Sequence, residues 1–341
     1  MKHRSASYAA ALFAALTPVL FGQTPAPATN TEIDRVLRYA HTEVPQSLHE
    51  IATAIRAVTE IRQVSVAADQ RVLALLGSKS QMEMAEWLFA RLDQAPTLRS
   101  AEEVAEYAVS GGADDVVRVF YLNYPESIQA FQEVATAVRS VIEIRRTFTY
   151  NALKAIVVRG TADQIAMAEW LVRQLDRPPS RVAIGPFEYT LPKHTEDVIK
   201  VYFLSNTAEV RDFQEISTMV RSISELGRVF TYNALKAFIA RGNPDQLGLA
   251  TWLIREMDQP PSRAVLTPRE YRMPTADDLV RVVFFPHIAT VQGFQEVAAS
   301  IRQQVGIRRL FTYNAPRALV LRGTAAQLAH AESLSKEFER R

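Results

Sequence analysis

The sequence predicts an α+β protein of four tandem βαββα units, each about 82 residues long and joined by short Pro-rich linkers. Three observations carry this. First, independent markers keep one period: Trp87, Trp170 and Trp252 are 83 and 82 residues apart. Phe-Thr-Tyr-Asn-Ala begins at Phe148, Phe230 and Phe311, and Phe-Gln-Glu begins at Phe131 and Phe213 and recurs at Phe294. A fixed period of this kind is the mark of tandem duplication. Second, the apolar pattern inside each period switches between alternation and helical spacing. Third, 48% hydrophobic and 22% charged residues are ordinary for a folded chain and exclude wholesale disorder.

Copy 2 shows the elements in order. Val117–Leu122 is rich in β-branched and aromatic residues and reads as a strand. Ile128, Phe131, Ala135, Val138 and Ile142 follow at helical spacing, with Ser127 placed to cap them. Thr147–Tyr150 alternates as a half-buried strand, and Phe148 and Tyr150 are expected to share one face and fill the core. Residues 151–154 make the turn, where Asn151 suits unusual backbone angles. Ala155–Arg159 is the next strand, which Gly160 breaks. A second helix starts near Thr161 or Asp163, turns Ile165, Ala168, Leu171, Val172 and Leu175 inward, and stops at Asp176–Pro178.

The copies span 33–95, 98–178, 181–260 and 263–341. The first is the most diverged and has Ala68 where the others have Asn151, Asn233 and Asn314. Prolines in the linkers Ala95-Pro96-Thr97, Pro178-Pro179-Ser180 and Pro260-Pro261-Ser262 make these joints short and semi-rigid. Copies 2 to 4 carry an extra segment with Glu106-Tyr107, Glu188-Tyr189 and Glu270-Tyr271, expected as an edge strand. Units this small are marginally stable alone and gain from packing on neighbours.

The chain opens with Lys2 and Arg4 followed by an apolar stretch from about Tyr8 to Gly22, which reads as a secretory signal; residues 1–28 are expected to be signal peptide and leader. Removing them leaves 37 basic against 37 acidic side chains. No later stretch has the length or apolarity of a membrane span. There is no cysteine, which excludes disulfides, thiolate nucleophiles and thiolate metal sites.

The strand at Val119–Tyr121, the Tyr150-Asn151-Ala152-Leu153 turn, the run Ile156 to Thr161 and the Leu175-Asp176-Arg177-Pro178 helix end resemble the short N-terminal domains of bacterial secretins. So does the apolar stretch Val182–Ile184 after Pro-Pro-Ser. The resemblance implies a periplasmic module that associates laterally into homo-oligomeric rings and has protein partners in a secretion or type IV pilus apparatus. The sequence departs from the family after copy 4: no run of amphipathic, Gly- and Ser-rich strands follows to form a pore. The expected role is a vestibule-like assembly or adaptor protein. The alternative is a monomeric string of domains that grips an envelope protein or cell-wall material.

The candidate contact residues lie on repeated faces. Met84 and Trp87, Met167 and Trp170, and Leu249 and Trp252 widen the inward stripe of each second helix into a second apolar face. Copy 4 has His330 and Ser333 there, with Ser335 in place of Val172, as expected for a terminal repeat. Two readings stand: the face meets the next copy, or each Trp completes its own core. Arg139, Arg221 and Arg302 sit near the end of each first helix, where positive charge suits the helix dipole. Subunit–subunit salt bridges are their other reading, and Arg145-Arg146 and Arg308-Arg309 add local basic spots. The acid pairs Asp114-Asp115, Glu196-Asp197 and Asp277-Asp278 read as solvated turns.

No Ser/His/Asp arrangement, phosphate-binding glycine loop or metal-ligand spacing occurs, so neither an enzyme nor a cofactor is expected. The βαββα outline is KH-like, but Gly160-Thr161-Ala162-Asp163 lacks the second glycine of an RNA clamp, and the neutral mature charge argues against nucleic acid.

Overall fold

The computed structural model describes residues 32–95, 105–109, 116–179, 185–191, 194–259, 269–275 and 277–340. The signal segment, Asp114-Asp115, Val182–Ile184 and most linker residues lie outside the described residues. Copy 1 runs β1 (Ile33–Arg38), α1 (Pro45–Thr59), β2 (Gln63–Ala67), β3 (Val72–Gly77) and α2 (Lys79–Leu92). Copy 2 adds an edge strand: β4 (Ala105–Ala108), β5 (Val116–Tyr121), α3 (Ile128–Ile142), β6 (Arg146–Tyr150), β7 (Ala155–Gly160) and α4 (Ala162–Leu175). Copy 3 repeats this with β8 (Phe187–Leu191), β9 (His194–Phe203), α5 (Val210–Ile223), β10 (Arg228–Tyr232), β11 (Ala237–Gly242) and α6 (Pro244–Met257). Copy 4 has β12 (Arg269–Arg272), β13 (Leu279–Phe284), α7 (Val291–Val305), β14 (Arg309–Tyr313), β15 (Ala318–Gly323) and α8 (Ala325–Arg340).

Every sheet is antiparallel, ordered β1-β3-β2, β4-β5-β7-β6, β8-β9-β11-β10 and β12-β13-β15-β14. The four βαββα units are thus present, and the Glu-Tyr segments are edge strands in copies 2 to 4.

Short polar side chains set the helix starts. Ser127 and Thr290 accept from the backbone N–H groups of Ala130 and Gly293, and Ser78 and Asn243 form full capping boxes with Gln81 and Gln246. The tight strand-to-strand turn ends on a left-handed residue, Arg71, Lys154, Lys236 or Arg317, with φ of 54°, 47°, 47° and 52°. Asn151 is therefore not the residue that supplies the unusual angle; the turn tightens at its last position. Gly242 closes its strand because a Cβ there would stand 2.8 Å from Leu226.

The aspartates before the linkers close each copy internally. Asp93 at the end of α2 accepts from the N–H groups of Ala40, His41 and Thr42. Asp176 does the same for Asn123 and Tyr124, and Asp258 for Ser205 and Asn206. A carboxylate accepting several backbone donors holds the first βα loop against the second helix.

The described residues divide into two compact units. One comprises the described residues up to Tyr121 with Arg146–Thr161, the other Leu122–Arg145 with the described residues from Ala162 on. The division passes through copy 2: its sheet groups with copy 1, and its helices group with copies 3 and 4. In the first unit one core joins Leu48, Ile51, Ile55, Leu73, Leu88 and Leu92 of copy 1 to Val117, Val119, Tyr150, Ala155 and Val157. In the second, one core joins Phe213, Ile216, Val220 and Leu253 to Val280, Val282, Tyr313 and Val320. A separate core, built on Phe285, Phe294, Ile301 and Leu328, fills copy 4. Each fully buried aliphatic side chain in these cores contributes about 1.5–3 kcal/mol.

Candidate interaction surfaces

A joint of one design recurs three times: the sheet of one copy lies on the helices of the copy before it. Strand alternation puts Arg146, Phe148 and Tyr150 on one face of β6, across from Arg159, Val157 and Ala155 of β7. Tyr150 is buried and Phe148 half-buried, but they pack with the core of copy 1 beside α1. The Phe/Tyr face is a joint face, which corrects the expectation that it fills its own copy's core. Both faces of a central strand such as β7 are buried, so all six of its residues are inaccessible.

Each joint is tied by a carboxylate–asparagine pair. Glu50 on α1 accepts from the backbone N–H and side-chain Nδ2 of Asn151 at 3.1 and 3.0 Å. Glu133 on α3 does so for Asn233 at 2.9 and 2.9 Å. Glu215 on α5 does so for Asn314 at 3.0 and 3.0 Å. The bidentate fit fixes both the rotation of the amide and the end of the strand. The partners stand 101, 100 and 99 residues apart.

A second tie forms at the C-terminal end of each first helix. Arg159, Arg241 and Arg322 donate to the carbonyl oxygens of Val58, Val141 and Ile223 at 2.5, 3.2 and 2.7 Å. These carbonyls have no partner within the helix and carry the negative end of its dipole. Just beyond stand Glu60, Glu143 and Glu225 with φ of 61°, 64° and 55°. A non-glycine residue in this region costs about 1–2 kcal/mol. Each glutamate nevertheless reaches two arginines of the next copy: Glu60 pairs with Arg146 and Arg159, Glu143 with Arg228 and Arg241, and Glu225 with Arg309 and Arg322. Asp197, in β9, and Asp278, just before β13, complete the groups around Arg241 and Arg322.

The tryptophans stand at the same joints. Trp87, Trp170 and Trp252 are half-buried, with ring centroids 5.5, 5.5 and 5.4 Å from Tyr107, Tyr189 and Tyr271 on the next copies' edge strands. Tilted pairs at this distance contribute about 0.5–1.5 kcal/mol beyond their burial. Met84, Met167 and Leu249 are buried beside them. Arg177 lies over the Phe187 ring at 4.8 Å, a further link from copy 2 to β8. Burial pushes the Tyr232 hydroxyl up to about 12, helped by the carboxylates of Glu133, Asp176 and Glu126.

One member of the arginine series, Arg302, makes a local contact that Arg56 of copy 1 shares. Arg302 donates to the Leu310 carbonyl at 2.6 Å, as Arg56 does to Val64 at 2.8 Å, tying each helix to its own following strand. Arg139 and Arg221 are exposed in the last turns of α3 and α5. Arg146 and Arg309, read from sequence as local basic spots, are joint residues.

Copies 1 and 4 each lack some of the joint residues. By the period, copy 1 has Ala68 at the asparagine position, Leu76 at the Arg159 position and Gln63 at the Arg146 position. Copy 4 has Gly306, with φ 66°, at the glutamate position and exposed Ser333 at the tryptophan position. It keeps Glu296, exposed, at the Glu133 position.

A groove of about 700 Å³ opens between copies 3 and 4, bordered by Asn206, Met257, Phe284, Tyr313 and Pro316. Its buried Glu256 is already matched by Arg269 at 3.1 Å. Among the described residues no group of three His, Cys, Asp or Glu side chains is placed to hold a metal. No described helix is long and apolar enough to cross a membrane.

No family model matches the chain, and no curated protein does. Solved structures similar to it include Aeromonas hydrophila ExeD, at 15% identity over 74% of this chain and 44% of that one, with a TM-score of 0.16. The N-terminal domain of the secretin XcpQ from Pseudomonas aeruginosa matches at 13% identity over 67% of this chain and 100% of that one, with a TM-score of 0.21. The type II secretion system secretin GspD from E. coli K12 matches at 10% identity over 86% of this chain and 59% of that one, with a TM-score of 0.16. The chain spans less than half the length of the ExeD chain. The chain is similar to secretin N-terminal domains.

Proposed function

We propose that this chain is a non-enzymatic assembly or adaptor protein of a bacterial secretion system, working in the periplasm after export. The observation that carries the reading is the threefold joint. Asparagine, arginine, tryptophan and glutamate recur at the same positions to lock one copy to the next. Identical side chains spent on the same structural task in successive copies fit a scaffold, not a single active site. Within each compact unit the joints tie neighbouring copies, and exposed helix faces and sheet edges remain for partners. Protein components of a secretion or type IV pilus apparatus are the partners this reading names, and lateral association into homo-oligomeric rings is its mode of assembly. No nucleic acid or cofactor enters it.

Size-exclusion chromatography with light scattering on residues 29–341 tests the ring. The expected result is a discrete oligomer whose mass is a multiple of the chain. A strict monomer at high concentration overturns it in favour of the second reading, a monomeric multi-domain binder of one envelope partner. The specific support for that second reading is that copy 1 has Ala68, Leu76 and Gln63, and copy 4 has Gly306 and Ser333, at joint positions, so a copy 4 to copy 1 contact would lack several of the paired groups.

A further inference from the structure

Strands β5, β9 and β13 are each closed on their outer side by an edge strand, and each presents a basic residue to it. Arg118 is directly opposite Glu106, Lys200 opposite Glu188, and Arg281 opposite Glu270. All three pairs form salt bridges, and the basic side chains are only 13%, 18% and 17% exposed. Strand β1 is the equivalent strand of copy 1, and Arg35 is the equivalent residue. Among the described residues no strand lies along its outer edge, and the Arg35 side chain is 54% exposed. Among the described residues its carboxylate partner is Glu86 of α2 at 2.8 Å. In copy 4 the corresponding helix carboxylate, Glu332, and the edge-strand Glu270 both pair with Arg281. Among the described residues, copy 1 thus has the helix half of that arrangement and no strand half.

The sequence before β1 has no Glu-Tyr pair at the spacing of the internal edge strands. Edge-strand glutamates precede their basic partners by 11 or 12 residues; 12 before Arg35 stands Gln23, followed by Thr24, Pro25, Ala26 and Pro27. The two prolines lack the N–H that a ladder needs.

We propose that the outer edge of β1 accepts an extended segment of a partner protein, added as an antiparallel strand with an acidic residue opposite Arg35. Main-chain hydrogen bonds along the open edge supply affinity, and the Arg35–carboxylate pair supplies register and selectivity. The three internal edge strands are the templates for such a segment: an acidic residue followed by an aromatic one. This inference goes beyond the scaffold role and does not depend on the ring.

The test is fluorescence anisotropy of a labelled peptide, Gly-Pro-Phe-Glu-Tyr-Thr-Leu, the sequence of residues 185–191, titrated with the full chain. Saturable binding is expected, weakened at least about fivefold when the peptide Glu is replaced by Lys. Arg35→Glu is expected to reverse that preference, so that the Lys peptide binds the better. Circular dichroism of Arg35→Glu checks that this exposed substitution leaves the fold intact. Lack of saturable binding below millimolar concentration, or equal binding by wild type and Arg35→Glu, overturns the proposal. Binding seen only once residues 1–31 are deleted also overturns it and gives the edge to the chain's own leader. A dimer lost on Asp34→Arg and restored by adding Arg38→Asp overturns it in favour of two β1 strands pairing about Val36.

Discussion

Arg322 donates a hydrogen bond to the carbonyl oxygen of Ile223 at 2.7 Å, across 99 residues of sequence. Its guanidinium also pairs with Glu225, 3.2 Å away, and with Asp278, also 3.2 Å away. One side chain, 7% exposed, therefore satisfies a helix end and two carboxylates. Arg322→Ala is expected to lower stability by about 2–3 kcal/mol, because it orphans a buried acceptor and unpairs two charges. Arg309→Ala, whose side chain is 37% exposed, is expected to cost under about 1 kcal/mol. Urea denaturation of the two variants checks the ratio. Equal losses would show that burial does not set the value of these arginines.

Asn314 matches Glu215 through one backbone and one side-chain donor. Asn314→Ala removes only the side-chain bond and is expected to cost about 1–2 kcal/mol. Asn314→Asp places two carboxylates together and is expected to cost more at pH 7, with the excess recovered by adding Glu215→Gln. A double-mutant cycle measures the coupling, and zero coupling contradicts the pairing.

Glu225 has a conformation that glycine adopts freely, yet it carries two salt bridges. Glu225→Gly is expected to relieve about 1–2 kcal/mol of backbone cost while removing both pairs. The net change in global stability is then small, but hydrogen exchange in β14 is expected to rise. A stabilised β14 would contradict the assigned role.

Trp170→Ala is expected to loosen the contact with Tyr189 and speed hydrogen exchange in β8. If α4 itself unfolds on that change, the ring serves copy 2's own core and not the joint.

Alkaline pH acts through the buried tyrosines. The unfolded phenol titrates near pH 10, and Tyr232 in the fold does so at about 12. The raised value means the folded state holds the proton more tightly. The stabilisation it reflects is complete below pH 10 and is lost as pH rises through 10 to 12. Tyr150 is shifted in the same direction by burial. Denaturation midpoints are expected to hold steady to pH 9.5 and fall by pH 11.5, with Tyr232→Phe reducing the fall.

The period, the strand and helix order and the Trp faces were legible because they repeat locally. Even the exceptional Ala68 was visible as an exception. The meaning of that exception was not, since Asn151 reads in isolation as a turn residue. Its partner Glu50 lies 101 residues earlier on a helix face, where a glutamate carries no signature. Sequence alternation put Phe148 and Tyr150 on one face but could not say which copy lay beyond it, because a central sheet is apolar on both sides. Glu60, Glu143 and Glu225 escaped notice for a related reason: the left-handed angle that marks them is a property of the backbone, and only copy 4 shows the glycine that betrays it.

The central claim is that successive copies are locked by these ties. The absence of cysteine makes spin labelling clean. Labels at exposed Arg221 of α5 and Gln303 of α7, each changed to cysteine, allow a pulsed electron-resonance distance measurement between copies 3 and 4. The account predicts one narrow distance distribution that broadens with Arg322→Ala. A broad distribution in the otherwise wild-type chain, unchanged by Arg322→Ala, would contradict it.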